Sequence, residues 1–299
     1  WPDYTKNKLM DLIDCLPNMS SAERDKAVQK ITEWKKTTDD PYEIAELREH
    51  VRKRTITRNG PGSDISGGSE APDGREIYKL LDPIDLIARH QWLFVNTWVE
   101  FSPEELGDRL DIEKREQLIE EMRLEALREI FEIRGIEGVI ELIHKGRAAY
   151  IIGGVLAQHI LSGSQLQEFV QRCLFPQDTE SYALLRPCLE GILAKLNDED
   201  LVRHLHNLME SFRNSPDYEK MCVELLVSAP SRQATWDFAD QIDAELRDSY
   251  WSSISPSPVG YTEKELRYLI GKLMAYDRVW TAFATIRMQP KKMDSTTLA

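Results

Sequence analysis

Residues 147–161 read RAAYIIGGVLAQHIL, and two folds compete for them. As a helix, the stretch is apolar around nearly its whole circumference, which is the pattern of a helix buried on all sides by neighbours. Gly153 and Gly154 then lie inside it, each costing about 1 kcal/mol of helix propensity relative to Ala. A tolerated cost of that kind points to close approach by an adjacent helix. As a strand with a glycine turn, YIIGGV would instead belong to a phosphate-binding unit. Two adjacent glycines without GxGxxG or GxxxxGK give that reading little. No later alternation of strands and helices supports a parallel sheet either. The apolar core of the stretch, 148–157, is too short for the ~20 residues of a bilayer span. The helical reading is preferred, and it makes the chain all-α, with no significant β-sheet.

The rest of the chain is punctuated for helices. DPYE at 40–43 and DPID at 82–85 share one grammar. In it, an acid caps the free amides, proline takes the first helical position, and a second acid sits three residues after the cap. Ser102, Pro103 and Glu105 repeat it. Ser20 with Glu23 and Thr262 with Glu265 read as capping boxes. Between these signals the apolar residues recur with helical period. In 111–135, Ile119, Met122, Ala126, Ile130 and Ile133 form a core-facing stripe, and Gly135 ends or bends that helix. Downstream, breakers at Pro176, Asn197–Asp198, Ser215–Pro216 and Pro230–Ser231 are spaced so that two successive helices take up roughly 35 residues, as in stacked helical hairpins. SRQATWDFADQIDAELRDSYW, 231–251, reads as one segment, and Pro187 is expected in the first turn of its helix or at a kink.

Residues 55–74, TITRNGPGSDISGGSEAPDG, lack an apolar period and read as a flexible linker or disordered loop. The expected organisation is an N-terminal helical segment at 1–54, that linker, a helical-repeat body at 75–289, and a frayed tail at 290–299. The first residues, WPDYTKNKLM, carry neither an initiator Met nor a signal-peptide pattern, which points to a piece of a larger protein.

The chain has 299 residues, 41% of them hydrophobic, and a formal net charge of −13. That acidity favours solubility and argues against nucleic acid as the main partner. Cys15, Cys173, Cys188 and Cys222 form no CxxC pair and read as reduced thiols in a cytoplasmic protein. His204 and His206, two apart, face different sides of a helix and lack the i, i+4 spacing of a zinc helix. No carboxylate pair carries an accompanying catalytic motif. No catalytic, cofactor-binding or metal-binding residue is therefore assigned, and no cofactor is implied.

Two local features stand out. Arg48, Arg52, Lys53, Arg54 and Arg58 form a basic cluster at a helix end. There they complement the helix dipole or meet a phosphate, nucleic-acid or acidic-protein partner. Trp92, Phe94, Trp98 and Phe101 crowd ten residues, and Trp92 and Phe94 cannot share a helix face. Trp is enriched at interface hot spots. The candidate partner-binding residues are thus Arg52, Lys53, Arg54, Trp92, Trp98 and Trp251.

The succession of amphipathic helices resembles an α-solenoid of the TPR, HEAT or armadillo kind over about 110–289, on helix length and spacing. The tryptophan, glycine, tyrosine and alanine signature of TPR does not align. The chain is also similar to long helical regions of large bacterial multi-domain proteins, including antiviral defence proteins, in which such regions recognise partners while another domain acts. The resemblance implies stacked antiparallel hairpins serving as a non-catalytic module for protein or peptide recognition, or as a scaffold. Two alternatives stand beside it. One is a helical enzyme or regulatory domain with a site between helices near His159, His204 or Cys188. The other is nucleic-acid contact through 48–58.

Overall fold

The computed structural model describes residues 2–53, 74–99, 112–175, 178–256 and 260–288. The chain is all-α, and no strand occurs among the described residues. It divides into two compact units, 1–148 and 149–299. No helix among the described residues is long and apolar enough to cross a membrane.

The first unit contains α1 (Pro2–Cys15), α2 (Ser21–Thr37), α3 (Pro41–Val51), α4 (Gly74–Leu80), α5 (Leu86–His90) and α6 (Ile112–Lys145). The expected caps at 20 and 40 form. The Glu23 carboxylate accepts from the Ser20 amide at 2.8 Å, and Asp40 accepts from the Tyr42 amide at 2.8 Å. The second DP opening works differently. Asp85, not Asp82, caps α5 by accepting from the Ala88 amide at 2.9 Å, while Asp82 pairs with Arg48 at 3.0 Å. A nearby guanidinium has claimed the carboxylate that the sequence offered as a cap. The opening at 102–105 lies outside the described residues, as do the expected linker over 55–73 and the tail over 290–299.

The core of this unit joins Ile13, Ile31, Leu47 and Val51 to Ile77 and Leu81, so α4 shares its apolar interior with α1 to α3. Gly135 bends α6, with φ 61° and ψ −152° interrupting an otherwise continuous helix. That backbone region is accessible essentially to glycine alone.

The second unit contains α7 (Ala149–Val155), α8 (Gly163–Leu174), α9 (Thr179–Ala194), α10 (Asp198–Phe212), α11 (Tyr218–Ser228), α12 (Gln233–Gln241), α13 (Ala244–Ser253), α14 (Glu263–Ala275) and α15 (Val279–Arg287). YIIGGV is helical and runs into a π-helical turn at Leu156–Ile160. Its glycines mark a close helix crossing. A Cβ on Gly153 would lie 1.9 Å from the Cys188 carbonyl oxygen of α9, and one on Gly191 of α9 would lie 2.0 Å from the Tyr150 carbonyl oxygen. Each backbone occupies the space that a side chain on the other would need.

Two expectations change here. Residues 231–251 form two helices, not one, because the backbone becomes extended at Ile242. Asp243 then begins α13. Pro187 sits well inside α9, past its first turn. The Thr262–Glu265 capping box forms, with Thr262 Oγ1 accepting from the Glu265 amide at 3.3 Å and the Glu265 carboxylate accepting from the Thr262 amide at 2.7 Å.

The interior of α12 to α14 is aromatic. Trp236, Tyr250 and Trp251 are fully buried. Asp240 lies among them, accepting from Trp251 Nε1 at 2.9 Å and from the Tyr268 hydroxyl, and pairing with Lys272 at 2.6 Å. Burial acts to raise the Asp240 pKa. The bonds from Lys272, Tyr268 and Trp251 outweigh it and hold the carboxyl below its ordinary value.

Candidate partner-binding face

The basic cluster and the aromatic cluster meet in the first unit. Arg52 lies over the Trp92 ring at 5.1 Å and is bound by Glu49 at 2.5 Å. Its side chain is only 3% exposed, so it is an internal clamp and not a surface contact. Lys53 is half-exposed and stands 3.4 Å from the same Glu49. Arg54 lies outside the described residues. Trp92 is partly buried, while Phe94 is wholly inside. Trp98 is half-exposed, but Arg115 stands 5.8 Å from its ring centre.

Beside this pair runs a cleft with a cavity of about 260 Å³, lined among others by Arg48, Tyr78, Arg89, His90 and Trp92. A neighbouring cavity of about 240 Å³ shares four of those five residues. The cations here are already engaged. Arg48 stacks on Tyr78 at 4.1 Å, and Arg48 and Arg89 both approach Asp82, at 3.0 and 3.6 Å. His90 Nε2 is 2.8 Å from the Glu129 carboxylate. An entering anion would compete with carboxylates that are already in place.

Trp251, expected as a partner anchor, belongs to the core of the second unit and offers no surface. A position beside a loop says where the chain turns, not which way a ring points. The residues considered for catalysis sit in unlike surroundings. His159 is exposed, His204 is partly buried with Nδ1 2.7 Å from the Asp200 carbonyl, and Cys188 is fully buried. Burial, reinforced by the neighbouring Cys173 thiol, pushes the Cys188 thiol well above its ordinary pKa, which disfavours a nucleophilic thiolate.

Among the described residues, α15 carries more exposed large apolar side chains than any other helix. Its inner side is fixed by Ala282 and Thr285, both buried. Its start is tied down by Arg278, which donates to the Ile254 carbonyl at 2.5 Å and to Thr281 Oγ1 at 3.0 Å. Positions 279, 280, 283 and 287 fall together on the opposite side of the helix. There Trp280 is 85% exposed, Phe283 58% and Val279 46%. Met274 and Met288, at the two ends of the α14–α15 hairpin, are exposed as well. Trp92 and Trp98 each carry a guanidinium, and Trp251 has Lys272 at 5.5 Å from its ring. Trp280 and Phe283 have no ring or cation contact among the described residues. Arg287 is the one charged side chain of VWTAFATIR and makes no ion pair among the described residues.

No family model, curated protein or solved structure matches the chain.

Trp280 is not among the residues expected to bind a partner. Its signal is that VWTAFATIR, like 147–161, is apolar on more than one side. Helix α7 spends its apolar residues against α9, whereas α15 has a neighbour on one side and exposed aromatics on the other.

Proposed function

We propose that the chain is a non-catalytic helical module for protein recognition or scaffolding, and that the outer face of α15 is where a partner sits. The observation that carries this reading is the exposure of Trp280, Phe283 and Val279 on one side of a single well-anchored helix. Burying a large aromatic at a protein contact removes more apolar area from water than almost any other side chain can. Tryptophan is correspondingly enriched among the residues that dominate binding energy.

The architecture we propose is a stack of antiparallel helical hairpins. Neighbour packing in the second unit supports it. Helices adjacent in sequence pack together in α8 with α9, α10 with α11, α12 with α13 and α14 with α15. Those one place further along do so in α9 with α11, α10 with α12 and α11 with α13. α8 also meets α11, three places along. Packing mainly between helices near in sequence fits a quasi-one-dimensional array, whose outer surfaces are free to bind.

The test is a comparison of the whole chain with a Trp280→Ala/Phe283→Ala variant as bait in extracts of its own source, with captured proteins identified by mass spectrometry. A specific partner held by the native chain and weakened by about 30-fold or more in the variant is the expected result. Equal capture by both forms would remove α15 from the account.

A further inference from the structure

The α15 face carries more information than its apolarity. We infer that its occupant is an amphipathic helix of a partner protein, with an apolar ridge and a carboxylate about one turn along from it. This rests on the reading of α15 as a partner face and specifies the chemistry of what that face takes.

Shape comes first. Val279, Phe283 and Arg287 follow one another at i, i+4 spacing, and Trp280 stands beside them. That row is a ridge, and ridges of this spacing pack into the grooves of another helix. A partner helix laid along α15 would place its own i, i+3, i+4 apolar residues against Trp280 and Phe283, as helices recognised in grooves do.

Charge comes second. Arg287 closes the ridge one turn after Phe283, and α15 has no acidic residue. The sequence continues Met-Gln-Pro-Lys-Lys, so Lys291 and Lys292 come before the next acid, Asp294. Three cations without an acid between Arg287 and Lys292 stand out in a chain of net charge −13. Arg287 also complements the negative end of its own helix, but its guanidinium makes no ion pair among the described residues. A carboxylate on the partner would take them in a paired geometry.

The experiment uses the full chain and two synthetic helical peptides with the same leucine ridge, one flanked by glutamates and the other by lysines. Isothermal titration calorimetry is run with native chain, with Arg287→Glu and with Trp280→Ala/Phe283→Ala, and light scattering follows the chain's own association state. The expected result is that the glutamate peptide binds the native chain about fivefold more tightly than the lysine peptide. Arg287→Glu should reverse that order, and the double variant should bind neither. Equal binding of the two peptides, lost in the double variant, would overturn the acidic chemistry while leaving α15 as a partner face. Self-association abolished by the double variant, with neither peptide bound, would assign the face to a second copy and overturn the inference. Peptide binding unaffected by the double variant would overturn both the inference and the reading beneath it.

Discussion

Glycine shows how far a single residue can be read. Gly153 and Gly271 both lie inside helices, where each costs about 1 kcal/mol relative to Ala by propensity alone. Their surroundings are opposite. A methyl group at 153 would sit 1.9 Å from a backbone oxygen that cannot move without moving α9, whereas one at 271 meets nothing within 4 Å. Gly153→Ala is therefore expected to lower unfolding free energy by about 3 kcal/mol, and Gly271→Ala to raise it by about 0.5–1 kcal/mol. Urea denaturation of both variants checks the pair, and equal effects of one sign would contradict the packing described for α7. The glycine pair at 153–154 was legible as a close approach because an unexplained cost implies a compensating contact. What approached, Cys188 of α9, was not legible, because it lies far along the chain.

Asp240 illustrates what sequence hides. Nothing in WDFADQ marks it, since its partners Trp251, Tyr268 and Lys272 come from α13 and α14. Its pKa is held down in the native state, so its stabilising contribution is present at neutral pH and above. It is lost as pH falls through the depressed native value, where the folded carboxyl also takes a proton. Asp240→Asn is expected to cost about 2 kcal/mol at neutral pH. The native chain's melting temperature should fall more steeply below pH 4 or so than the variant's. Parallel acid limbs would show that Asp240 is not the group responsible.

At the scale of the element, local signals were reliable where they were self-contained. Capping at 20, 40 and 262 needs only residues two or three apart, and all three caps formed. The failure at Asp82 came from a partner outside the segment, Arg48, which pairs with the would-be cap. The break between α12 and α13 lacks glycine and proline, so no punctuation announced it. The outer face of α15 escaped notice for a related reason. Period and composition say that a helix has apolar sides, but not which of them a neighbour covers. Because that face is exposed, Trp280→Ala/Phe283→Ala should melt within about a degree or two of the native chain, since surface truncations seldom change stability by more than about 0.5 kcal/mol. A large drop in melting temperature would mean that the aromatics are part of the packing and not of a contact surface.

For the whole molecule, the all-α class was legible because every apolar run keeps a 3.6-residue period and no strand punctuation interrupts it. The division at 148/149 was not, since it falls within an apolar stretch and away from any glycine- or proline-rich linker. The candidate site was legible only in kind. The proposed face uses tryptophan and arginine, the residue types that the sequence points to, but at other positions: Arg52 and Trp251 are spent inside the protein, whereas Trp280 and Arg287 are free of such partners among the described residues. The central claim is that the surface of α15 contacts another protein. The most direct test places a photo-crosslinking amino acid at Phe283 and, in a second form, at Ile84 of the first unit, which is 89% exposed but solitary. Both forms are irradiated in cells of the chain's own source. A discrete covalent adduct from position 283 and none from position 84 is the predicted result; no adduct from 283, or the same adducts from both positions, would contradict it.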